Sequence, residues 1–161
     1  MDFLKKVIPS TNTSGISVIK SGVTKIKDTY GNLINAYYRI WSDGYIEQYG
    51  SPGKTVQNGY ERATIYFPFP FKSTEYFYSS SASTWNTWNA CLGIDSEKKY
   101  RNGVVIFVPG PASLEQCFAN TWKVCGYIDM TKVDIDDPYS AETDQSPQLS
   151  NDDSIVYAKY T

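Results

Sequence analysis

Four carboxylates, Asp43, Glu47, Glu61 and Glu75, are the strongest candidates for chemistry in a chain that contains no histidine. Without imidazole, Ser-His-Asp and Cys-His nucleophilic catalysis are excluded, and so is the commonest metal ligand. What remains is carboxylate chemistry of the glycosidase kind, which needs two carboxyl groups roughly 5 to 9.5 Å apart in a substrate cleft. A chain of 161 residues offers little depth for a polysaccharide groove, and Glu47 is expected to pair with Arg39. The sequence therefore reads as a non-enzyme without a cofactor. Asp134, Asp136 and Asp137 cluster further on, but without the glycine and terminal glutamate of an EF-hand loop, so no metal site is assigned.

A second group is suited to binding. Residues 76–89, YFYSSSASTWNTWN, mix tyrosine and tryptophan with serine and asparagine. The rings supply large, rigid contact area at low entropic cost, and the small polar residues supply adaptable hydrogen bonds. Sugars require that combination, an aromatic face for the ring C–H surface and amides for the hydroxyls. Tyr78, Trp85, Asn86, Trp88 and Asn89 are accordingly expected to form the rim of a surface-glycan site. The competing reading has the tryptophans capping the core while the asparagines shape a turn. Trp85 and Trp88 share a face only if the segment turns helically.

Composition says what kind of body must carry these groups. Aromatics reach 16% of the residues, with 14 tyrosines. The net charge of −2 provides no cationic field for phosphate backbones, so nucleic acid is not an expected partner. No apolar run is long enough for a signal peptide core or a membrane span, so membrane insertion is not expected either. Cys91, Cys117 and Cys125 are odd in number and sit in apolar company, which predicts buried, reduced thiols. Charge is polarised along the chain: residues 129–153 hold eight carboxylates against the single Lys132, which predicts a solvated acidic extension.

Alternation with a period of two predicts short strands at 15–20, 61–67, 75–80, 104–108, 121–128 and 154–160, with helix expected only at 2–8 and 113–120. The fold class is all-β, an antiparallel β-sandwich. Residues 37–50, YYRIWSDGYIEQYG, predict a hairpin. A three-residue Ser42-Asp43-Gly44 turn puts glycine where a left-handed residue is needed. It pairs Trp41 with Tyr45, Ile40 with Ile46, Arg39 with Glu47 and Tyr37 with Tyr49, so that like faces like. These aromatics are expected to serve packing, in the core or between subunits.

The hairpin also resembles a known family. Tyr38-Arg39, Ser42-Asp43-Gly44-Tyr45 and Glu47-Gln48 are similar to the W-Y-R-x-x-S-D-G-W-x-E-Q signature of the C-terminal tip domain of tailed-bacteriophage tail fibres. Phe67-Pro68-Phe69-Pro70-Phe71 is similar to that family's F-P-x-x-F, and Trp122 to Tyr127 to its closing W-x-x-x-G-Y. The resemblance covers about residues 31–128. It implies a trimeric β-sandwich tip on a virion, assembled in the host cytoplasm, which binds a host surface glycan or protein without catalysis. The chain then divides into an N-terminal docking or stalk segment at 1–30, contacting other virion proteins, a tip domain at 31–128, and an acidic extension at 129–161 with a terminal strand. The alternative is a structural virion component, a head fibre, decoration or joining protein, whose aromatic surface meets other viral subunits.

Overall fold

The computed structural model describes residues 15–28, 30–51, 62–84, 93–107, 117–144 and 146–158. Among them, eight strands and a single helical turn follow the chain: β1 (Val18–Lys27), β2 (Leu33–Trp41), β3 (Tyr45–Gly50), β4 (Arg62–Tyr66), β5 (Phe77–Thr84), β6 (Gly93–Tyr100), β7 (Gly103–Phe107), β8 (Cys117–Tyr127) and α1 (Asp153–Val156). Every pairing is antiparallel. One sheet has five strands in the order β1-β2-β3-β8-β5, and the other has three in the order β4-β7-β6.

The sheets pack as a sandwich because each contributes one apolar face. In β2, Ala36, Tyr38 and Ile40 are buried while Asn35, Tyr37 and Arg39 are exposed. Ile46, Trp122 and Val124 continue this inner face, and Ile65, Val104 and Ile106 meet it from the second sheet. Between the sheets runs Phe67-Pro68-Phe69-Pro70-Phe71, whose three phenylalanines are fully buried. Prolines cannot donate to a ladder, so this strap packs through its rings. Phe67 lies edge-on to Phe71 and Tyr76 and 6.1 Å from Trp122.

Several sequence expectations require correction. The division at residue 30 does not hold, because β1 pairs with β2 from Val18 opposite Trp41 to Lys27 opposite Leu33 and buries Ile26 in the common core. Residues 1–14 of the expected docking segment, including the predicted helix at 2–8, lie outside the described residues. The acidic segment is not a solvated extension. It buries Val133, Tyr139, Ala141, Val156 and Tyr157, and it is tied down by the Tyr139 N–H to Pro68 O, the Ala141 N–H to Lys25 O and the Thr24 hydroxyl to Tyr139 O. Its carboxylates meet the cations beside it: Lys20 bonds Asp136 at 2.6 Å, and Asp153 pairs with Arg101 and Lys132.

No terminal strand forms within the described part of 154–160. Asp152 caps α1 by accepting the Ser154 N–H, and the neighbouring Val156 and Tyr157 are both buried, a pattern that alternation does not allow. At 113–120 the described part, from Cys117 onward, is strand, since β8 already pairs with β5 from Cys117 opposite Thr84. Strand β6, GIDSEKKY, escaped prediction because it is too polar to show an apolar face. Of the cysteines, Cys125 is a free thiol and only half-buried, Cys91 lies outside the described residues, and the Cys117 backbone belongs to β8.

Candidate binding surface

The turn between β2 and β3 sets the geometry. Gly44 has φ of +86°, in the left-handed region, and its N–H closes the turn on Trp41 O at 3.0 Å. Asp43 Oδ1 accepts the Tyr45 N–H at 3.0 Å, a local bond characteristic of aspartate in turns. Ser42 fastens the start of the described chain to this turn: its N–H donates to Ser17 O, and its hydroxyl accepts the Ser17 N–H and donates to Gly15 O. Tyr37 stands opposite Tyr49, Arg39 opposite Glu47 and Ile40 opposite Ile46, the register predicted for a three-residue turn.

With Ile40 and Ile46 directed inward, the odd-numbered partners are presented on the outer face of the five-stranded sheet. Tyr37 and Tyr49 stack with centroids 5.5 Å apart and planes at 15°. Trp41 meets Tyr45 at 5.2 Å, and Tyr45 meets Tyr127 of β8 at 5.6 Å, both edge-on. The Arg39 guanidinium lies 5.9 Å from the Trp41 ring. Register carries one row across all five strands, from Val23 through Tyr37, Tyr49 and Lys123 to Ser79. Tyr37, Tyr49, Val23, Tyr127 and Phe77 are all exposed, Phe77 at 79%.

Two expected roles change. Glu47 forms its ion pair with Lys123 at 3.0 Å, across β3 and β8, while Arg39 lies over Trp41 instead. Tyr78 is not a rim residue. It is half-buried, pairs in register with the fully buried Val124, and packs against the core. Burial pushes its hydroxyl up in pKa, against a smaller lowering by Ser80. The parity of β5 makes Phe77 the outward residue, a signal already present in the period-two pattern. Trp85, Asn86, Trp88 and Asn89, with Glu61, lie outside the described residues.

The chemistry of this face is that of contact. Stacked phenols and an indole offer π-faces to C–H groups, with guanidinium, ammonium and carboxylate distributed among them. Tyr45 is pushed up to about 12, first by its hydrogen bond with the Cys125 thiol and then by burial, so it stays a neutral phenol at physiological pH.

No family model matches the chain, and no curated protein matches it. Among solved structures, the selenomethionine structure of an N-truncated R2-type pyocin tail fibre is similar at 16% identity with a TM-score of 0.43, over 68% of this chain and 39% of the fibre chain.

Proposed function

We propose that this chain is a bacteriophage virion fibre protein whose β-sandwich acts as a tip, self-associates as a trimer, and adheres to a host cell-surface glycan or protein without catalysis. The observation carrying this reading is the outer face set by the Ser42-Asp43-Gly44 turn, where Tyr37 stacks on Tyr49 and Trp41, Tyr45 and Tyr127 form a chain of ring contacts. Exposed aromatic surface of this extent is a liability on a solitary subunit and an asset where copies meet each other or a receptor. The signature residues Arg39, Ser42, Asp43, Gly44, Glu47 and Gln48 supply the link to fibre tips through sequence resemblance.

The reading is tested by light scattering coupled to gel filtration together with adhesion of labelled protein to bacterial cells. A trimer that adheres supports it, and a clean 18 kDa monomer that adheres to nothing overturns it. An oligomer that binds viral subunits but no cells favours the structural component instead.

A further inference from the structure

Beside the turn the surface is concave. A cleft of about 520 Å³ lies between the hairpin turn, the end of β8 and the loop that follows the phenylalanine strap, and Asp43, Lys72, Ser73, Glu75 and Tyr127 line it. That volume falls within the roughly 300 to 1,000 Å³ of small-molecule sites. Its walls are held by backbone bonds rather than by side-chain chance: the Lys72 N–H donates to Tyr127 O at 2.8 Å and the Ile128 N–H to Gly44 O at 3.0 Å. The floor is the Phe71–Tyr76 pair, stacked at 4.5 Å. The Tyr76 hydroxyl is committed to Tyr100 O, and burial raises its pKa.

We infer that this cleft is a saccharide subsite that takes one uncharged pyranose. The inference rests on the adhesive function proposed above and names the chemistry that function would recognise. Two carboxylates face the cleft, and neither is in an ion pair among the described residues. Asp43 spends Oδ1 on the Tyr45 N–H, which leaves Oδ2 to accept from a ligand hydroxyl. Glu75 sits on a turn fixed by its N–H donating to Ser73 Oγ at 3.2 Å, so the Ser73 O–H remains a donor. Lys72 adds ammonium donors, and Tyr127, 54% exposed, offers a ring for the sugar's C–H face. Carboxylate acceptors, a cationic donor and an aromatic wall together match a polyol ring. The two carboxylates in the wall disfavour an anionic group set directly against them, and Lys72 together with Lys99, whose ammonium lies 4.2 Å from the Tyr76 ring, opposes a bare cation.

The test is saturation-transfer NMR on the full chain with the methyl glycosides of glucose, galactose, mannose and N-acetylglucosamine, and with glucuronate and sialic acid as charged probes. At least one neutral glycoside should bind, with a Kd on the order of millimolar for a ligand of this size. Asp43→Asn with Glu75→Gln, which keeps the turn acceptor at residue 43, should weaken it about tenfold or more. Tyr127→Ala should do likewise, with unfolding curves checked for each variant. Failure of every neutral glycoside, equal binding by the double variant, or preference for the charged probes overturns the subsite. Adhesion of the wild-type chain to cells, measured in parallel, then separates the two failures: retained adhesion removes only the subsite, and absent adhesion removes the proposed function as well.

Discussion

The side-chain amide of Gln48 and the backbone of Phe69 close a two-bond ring: Nε2 donates to Phe69 O at 2.9 Å and Oε1 accepts the Phe69 N–H at 2.8 Å. Both residues are fully buried. Among the described residues no strand pairs with the strap between Pro68 and Pro70, and the glutamine stands in for one. It ties the strap to β3 and so to the hairpin that carries the outer aromatic face.

Replacing Gln48 by Ala should therefore cost more than the lost packing. It strands a buried N–H and a buried C=O, each worth about 1 to 3 kcal/mol when unsatisfied, so a loss of about 2 to 6 kcal/mol is expected in chemical denaturation. Gln48→Glu should also destabilise, because a carboxylate cannot donate to Phe69 O. A midpoint unchanged in both variants would refute this role.

What could be read in the sequence follows from the same geometry. Alternation and a left-handed glycine are local, so the hairpin register and the strands at β4 and β7 were legible. The use of Gln48 was not, since its partner lies 21 residues away in a strap whose prolines suppress any strand pattern. The docking of residues 129–158 was hidden for a related reason: Val133, Tyr139, Ala141 and Val156 are spaced irregularly among carboxylates, and part of that charge is held close by Lys20 of β1, Arg101 of the β6–β7 turn and Lys132. On the outer face, parity separated Phe77 from Tyr78, but aromatic content drew attention to Tyr78.

Replacing Tyr37 and Tyr49 together by Ser should leave the fold almost intact while changing what the protein contacts. The pair is exposed and stacked, and a cross-strand pair contributes on the order of 0.2 to 1 kcal/mol. A loss of more than about 2 kcal/mol by denaturation would place these rings in the core instead. With stability preserved, self-association or cell adhesion should fall sharply in light-scattering and adhesion assays.

Acid should release the C-terminal arm. Hydrogen bonds from Lys132 and then Arg101 hold the Asp153 carboxyl at about 2, below its ordinary 3.8. A depressed carboxylate contributes stability that is present above the unfolded pKa and fades as pH falls through the folded one. The pairing is therefore intact at pH 5 and weakens between roughly pH 4 and pH 2. Pepsin, active across that window, should cut within residues 150–158 increasingly as pH drops. Asp153→Asn should be cut more readily already at pH 4 and show a shallower pH dependence, with the remainder due to Asp152, which the Ser154 hydroxyl and N–H also depress. Equal cleavage of both proteins at every pH would show that the arm is held by Val156 and Tyr157 alone.

Gly22 and Tyr38 should behave as a coupled pair. They stand opposite each other in the β1–β2 register, and a Cβ on Gly22 would run into the Tyr38 hydroxyl and come within 2.7 Å of its Cζ. Tyr38 cannot simply retreat, because its buried ring is wedged edge-on against Phe69 at 4.9 Å. Gly22→Ala should thus cost about 1 to 3 kcal/mol, as overpacking does, despite alanine's better fit to an ordinary strand backbone. Tyr38→Phe removes the atom struck first, so the double variant should recover part of that loss, with a coupling of at least about 0.5 kcal/mol in a double-mutant cycle. Strict additivity would mean that the edge strand shifts outward to admit the methyl group, and that the glycine serves chain flexibility rather than the seating of the ring.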